Sequence, residues 1–332
     1  MAQPESQPSP SAPGQPQNMA LLGIWLKLIA VLLFTVMLAL AKGYSQYPLA
    51  VIIFFRSFFA LVVLVVWLAW RGAFPRALHT RRLPAHLVRS IAGIGSMFFI
   101  FAAYGMIPLA EATAIGYVQP LMVALLAALI LRERITRLRI ASIAAGFAGV
   151  ILMLWESIGG VGGGGQQHAL GAFSALMGAG LVAIAFIQIR RLTLTEDTGA
   201  IAFYFQATTT LAALAVLGAA VLWPSGAPLA ETMHSQVWVW PRGFDWVALI
   251  LIGVLGGVGQ ILMTQGFRYA DASILAVFDY SSLIWAVLIG LAIFGETPTS
   301  YVMAGAAIVI AAGLAVVWEE NQLRKAWRNS RK

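Results

Sequence analysis

Apolar residues run along this chain in blocks of about twenty, separated by short polar breaks. Ten blocks stand out, at about 20–41, 48–70, 86–106, 109–131, 136–156, 168–190, 199–223, 244–267, 272–294 and 299–318. Each is long enough, wound as a helix, to cross about 30 Å of hydrocarbon. The predicted fold class is therefore all-α: a polytopic membrane protein with ten transmembrane helices. Composition agrees, since 60% of the 332 residues are hydrophobic and 10% are charged, against about 25% charged in soluble domains. The spans leave no room for a soluble catalytic domain. The first 18 residues, rich in Pro, Gln and Ser, read as a disordered tail. No basic region or small-residue cleavage site precedes the first span, so no cleaved signal peptide is expected.

Charge supplies the orientation. With the N-terminus inside, the inner segments hold Arg71, Arg76, Arg81, Arg82, Arg132, Arg134, Arg137, Arg139, Arg190, Arg191, Arg268 and a basic C-terminal tail, while the outer loops hold only Lys42 and Arg242. This asymmetry is the positive-inside pattern and predicts both termini in the cytoplasm. It also accounts for the net charge of +8 without nucleic acid, for which no recognition motif is present.

Residues 104–133 align without gaps to residues 267–296, placing Tyr117 on Tyr280 and Glu133 on Glu296. Five spans separate equivalent helices. Five is odd, so the two halves must insert with opposite orientation, as in many secondary transporters.

The stretch "PLAEATAIGYVQPLMVALLAALILRERI", followed by "GFAGVILM", resembles the EamA-type branch of the drug/metabolite transporter superfamily. Matching positions are Pro108, Glu111, Ala112, Pro120, Glu133, Gly146 and Gly149. Arg56 matches an arginine often found in the family's second helix, and Lys42 a lysine that often closes the first. In the second half, "IFGETPTS" keeps the Gly-Glu of the closing motif. The resemblance implies two inverted five-helix repeats, at 20–156 and 168–318, joined by a Gly-rich outer loop at 157–167 and flanked by cytoplasmic tails at 1–19 and 319–332. It also implies residence in a bacterial inner membrane and movement of small metabolites such as amino acids, S-adenosylmethionine or riboflavin.

Polar residues inside the spans are the candidates for substrate binding or coupling. Arg56 stands in "VIIFFRSFFALVVLVVWLAW", where a charge costs roughly 2.5–3.5 kcal/mol. It precedes Arg71 by about 22 Å of helix, too far to reach water, so it faces the protein interior. Asp279 lies inside span 9, and its repeat counterpart is Gly116, so the symmetry breaks at a costly residue. It could bind a cation, take up a proton or neutralise Arg56, and an Arg56–Asp279 pair is the specific expectation. Glu111 and Gln119, eight residues apart in span 4, would share one broad face. Pro120 should kink that span. Tyr117, Tyr280 and Trp285 are candidate walls for a ring-bearing solute, and Gln260 is the deepest glutamine of spans 6 to 8. Lys27 and Arg89 are expected to snorkel to the inner surface. For each of these, packing remains an alternative to a functional role.

Other chemistries are disfavoured. "GVGGGG" at 160–165 has the spacing of a dinucleotide fingerprint without a strand before it. No Walker A motif occurs, the histidines lack metal-ligand spacing, and cysteine is absent. No cofactor, metal or catalytic residue is expected. The function read from the sequence is a secondary carrier of a small organic metabolite, proton-coupled or exchanging, with lipid as its solvent and a homodimer compatible. A channel or a structural membrane protein is the alternative, and a membrane-embedded enzyme is least favoured.

Overall fold

The computed structural model describes residues 17–75, 78–80, 82–131, 136–159, 165–192, 195–223, 235–269, 275 and 278–329. Residues 1–16, Glu133 and residues 160–164 of the Gly-rich loop lie outside the described residues. The helices are α1 (Gln17–Gly43), α2 (Leu49–Trp70), α3 (Leu83–Met106), α4 (Leu109–Gly116), α5 (Gln119–Leu131), α6 (Arg137–Gly159), α7 (Gly165–Leu192), α8 (Thr198–Leu222), α9 (Asp245–Tyr269), α10 (Ser281–Ile289) and α11 (Ser300–Asn329). No strand occurs among the described residues. Seven of the helices are long and apolar enough to cross a membrane. Span 4 is α4 plus α5, span 5 is α6, and span 9 is the segment Phe278–Phe294, which gives ten.

The ten are paired by the repeat. The broadest contacts join α3 to α7, α1 to α9, and α6 to α11, followed by α2 to α9 and α2 to α8. Exchanging each span for the one five later turns the α1–α9 contact into α7–α3, and maps α2–α8 and α6–α11 onto themselves. That is the contact pattern of a pseudo-twofold axis lying in the membrane plane. The repeat equivalents Tyr117 and Tyr280 touch, with ring centroids 5.0 Å apart, so the axis passes between them.

Glycine sets how closely the helices approach. A Cβ at Gly253 would fall 2.6 Å from the Phe55 carbonyl, which brings α9 against α2, and one at Gly178 would fall 2.7 Å from the Ile100 side chain, bringing α7 against α3. On the outside, Trp70, Ile91, Leu222 and Ile293 are exposed. In water they would be a liability; in this protein they form the lipid-facing surface, because lipid needs no burial of apolar side chains.

Two spans are broken. Span 4 stops as a helix at Gly116, where Tyr117 and Val118 make tightened bonds to Ala114 and Ile115. Pro120 has no N–H to give the Gly116 carbonyl, so the expected kink falls here. In span 9 a single 3-10 turn, Phe278–Tyr280, leads into α10. The breaks at Tyr117 and Tyr280 are repeat equivalents. The far end of span 9 widens to a π turn, Gly290–Phe294, and stops at Gly295, whose φ of +65° is a left-handed conformation open to glycine. Glu296 then donates its N–H to the Gly290 carbonyl at 3.0 Å.

Candidate functional site

A cavity of about 360 Å³ lies between the two broken spans. Val31, Phe34, Thr35 and Leu38 of α1 form one wall. Tyr117, Gln119, Pro120, Asp279, Tyr280 and Ser282 come from the breaks, and α3, α7 and α9 add Tyr104, Phe186 and Met263. The lining is mostly aromatic and aliphatic, with several hydroxyls, one amide and one carboxylate. Thr35 and Thr113 bond their own helix at Val31 and Leu109, so these hydroxyls need no partner across the cavity. Tyr117 Oη donates to the Tyr280 carbonyl at 3.0 Å and lies 2.6 Å from Ser282 Oγ. The Tyr280 hydroxyl packs against Gly313, where a Cβ would lie 2.0 Å from it.

Two ion pairs bracket the cavity, both between α1 and span 9. At one end Lys27 Nζ is 2.6 Å from Asp279 Oδ1; the lysine side chain is 0% exposed and the aspartate 48% exposed. At the other, Lys42 Nζ is 2.9 Å from Glu296 Oε1. Lys42 also donates to the carbonyls of Ile107 (2.6 Å) and Tyr104 (3.2 Å), and Glu296 Oε2 accepts the Leu109 N–H at 2.9 Å. This second pair therefore satisfies orphan backbone groups at the end of α3 and the start of α4. A lysine at a helix C-terminus is also favoured by the helix dipole. The first pair differs: its carboxylate remains partly open to the cavity. Lysine against carboxylate twice, at the two ends of parallel helices, is a register.

Several expectations are corrected. Asp279 pairs with Lys27, not Arg56. Lys27 does not snorkel, because α9 lies tight on α1 at Gly266, where a Cβ would meet the Gly23 carbonyl at 3.2 Å, and a carboxylate is within reach. Arg56 instead donates to Gln206 Oε1 at 2.8 Å between α2 and α8. Arg89 does not snorkel either; its guanidinium stacks 3.8 Å from the Phe205 ring centroid. Glu111 and Gln119 do not share a face, because the break at Tyr117 interrupts the helical phase between them. Gln119 lines the cavity, whereas Glu111 is buried and faces His168 Nε2 at 2.9 Å. Trp285 and Gln260 are half-buried and lie outside the lining. Trp285 is five residues past Tyr280, about 140° around the helix. Met263 is the residue α9 presents instead.

The lysine pairs were missed at the sequence level, although a signal existed. Lys27, Val31, Leu38 and Lys42 recur at helical spacing on one face of α1. The lysines are 15 residues apart and the carboxylates Asp279 and Glu296 are 17 apart, nearly equal lengths on two helices that run the same way.

Known proteins place this arrangement. The chain matches the model of the EamA-like transporter family twice, over residues 21–155 and 169–318. It is 30% identical over 295 residues to a pseudopaline exporter of Pseudomonas aeruginosa, covering 89% of this chain and 95% of that one. An S-adenosylmethionine uptake transporter of Rickettsia prowazekii is 26% identical over 277 residues, covering 81% and 83%. A riboflavin transporter of Brucella anthropi is likewise 26% identical over 277 residues, covering 82% and 89%. A crystal structure superposes with a TM-score of 0.60 at 23% identity, over 91% of this chain and 98% of that one, and shares the fold. The doubled family match, the ten spans and the transporter relatives make this a metabolite transporter of the membrane: the chain belongs to the EamA-like transporter family.

Proposed function

We propose that the protein is a secondary carrier, without catalytic activity, that moves a small organic solute bearing a positively charged nitrogen or sulfur on an apolar or aromatic body. The observation that carries this reading is the half-exposed Asp279 carboxylate in an otherwise uncharged, aromatic-walled cavity. Lys27 is wholly buried, so the charge offered to a solute is negative. Tyr117, Tyr280 and Phe34 supply ring faces that attract a cation and apolar area for the rest of the molecule. Among the solutes that relatives move, the S-adenosylmethionine of the rickettsial protein is the nearest in chemistry, with its sulfonium centre. The breaks on the pseudo-twofold axis support alternating access by rocking one repeat against the other. The basic inner loops support cytoplasmic termini in a bacterial inner membrane. Asp279 is also our candidate for proton coupling, because a carboxylate that a solute can reach is one a proton can reach.

Counterflow in proteoliposomes tests the reading. Vesicles preloaded with unlabelled S-adenosylmethionine should accumulate labelled compound above the outside concentration, and Asp279→Asn should abolish this. Uptake that only equilibrates would indicate a channel. A neutral isostere competing as well as the cation would remove the charge argument.

A further inference from the structure

Correcting the partner of Arg56 leaves a question about charge. Arg56 is 8% exposed and sits mid-span in α2. Arg89 of α3 is half-buried, with its Nε and Nη1 shielded from solvent. Both meet the same place on α8: Arg56 Nη1 bonds Gln206 Oε1, and Arg89 stacks on the adjacent Phe205. Arg56 Nε, Arg89 Nε and Arg89 Nη1 are buried donors with no hydrogen-bond partner. Among the described residues, no carboxylate is within ion-pair distance of either arginine.

Neutralisation by proton loss is closed to these groups, because arginine stays protonated in proteins. A lysine could lose its proton when buried; two guanidiniums keep two charges. One amide oxygen and one aromatic face provide partial charge only. A buried cation without a counter-charge is unfavourable, and here there are two of them with three open N–H donors.

We infer that the α2–α3–α8 junction is an anion site, taking one small monovalent anion of the chloride class between Arg56 and Arg89. Donors on both guanidiniums suit a compact anion. The depth and enclosure of Arg56 disfavour a lipid phosphate, which would have to leave the headgroup layer. The site is separate from the cavity, whose lining includes none of Arg56, Arg89 and Gln206, so it does not rest on the proposed solute. The anion serves as a resident counter-charge that fixes α3 and α8 against α2.

The test uses the purified full chain in detergent, with thermal unfolding followed by tryptophan fluorescence. Replacing sodium gluconate by sodium chloride at constant ionic strength should raise the midpoint saturably, by about 3 °C or more. Arg56→Gln and Arg89→Gln should each abolish the rise. Should both fold poorly, Gln206→Glu decides: it places a carboxylate beside Arg56, so stability in gluconate should match or exceed that of the parent and the chloride response should vanish. Equal midpoints in chloride and gluconate for the parent chain would overturn the inference. So would a full chloride response in Gln206→Glu, or a response to phosphatidylglycerol with none to chloride.

Discussion

The two ion pairs that join α1 to span 9 use the same chemistry and do different work. Lys42 and Glu296 are embedded in backbone: between them they hold two carbonyls and an amide at the turn from α3 into α4. Lys27 and Asp279 hold each other, and the aspartate keeps almost half its side-chain surface open. The first pair therefore ties helix ends together, and the second leaves a carboxylate open to the cavity. Charge alone does not mark a binding residue; the number of its own neighbours a charge already satisfies is the better guide.

The most damaging change to this contrast is Asp279→Ala. It removes the carboxylate facing a lysine of zero exposure, and breaking a buried pair from one side costs about 3–5 kcal/mol. The chain should reach the membrane in much reduced amount, measured by quantitative blotting of membrane fractions. Lys27→Met with Asp279→Asn should restore most of that amount while counterflow stays absent. Recovery of counterflow in the double variant would mean that the pair is only structural.

Glu296→Ala should cost less, about 1.5–3 kcal/mol for hydrogen bonds involving a charged group, since Lys42 keeps its two carbonyls. Thermal unfolding in detergent reads it. Substrate affinity should be unchanged in the protein that folds. A loss of affinity as large as that of Asp279→Asn would erase the distinction between the two ends.

Gly313→Ala sharpens the comparison from the cavity side. Its methyl would collide with the Tyr280 hydroxyl, and overpacking of this kind costs about 1–3 kcal/mol. Tyr280 must move, so counterflow should fall more than expression does. The mildest expected effect concerns Arg56 and Asp279 together. They share no partner, so the stability losses of Arg56→Met and Asp279→Asn should add within about 0.5 kcal/mol in a double-mutant cycle. A larger coupling would restore the pairing that the geometry rejects.

Span number and the repeat were legible in the sequence because both are written in hydropathy and spacing, which the membrane enforces on every span. The kink near Pro120 was legible for the same kind of local reason. Partners of buried charges were not. Asp279 stood out in the sequence by its depth, yet its partner depended on which face of α1 the chain presents to span 9. Lys27 seemed close enough to the surface to escape; Gly266, 239 residues further on, is what closes that route by bringing α9 against it. Glu111 and Gln119 failed for a local reason, since a helical break resets the phase on which face arguments depend.

The hydrogen bond across the axis has a direction. Tyr117 gives its proton to the backbone of its own repeat image, Tyr280, and Tyr280 gives nothing back. A structure with the roles of the halves reversed would need Tyr280 to donate to Tyr117, with Gln119 standing where Ser282 now stands. Tyr280 instead lies in the notch that Gly313 leaves, with its hydroxyl bonded to nothing among the described residues. The two halves, alike in outline, are therefore not interchangeable at the point where they meet.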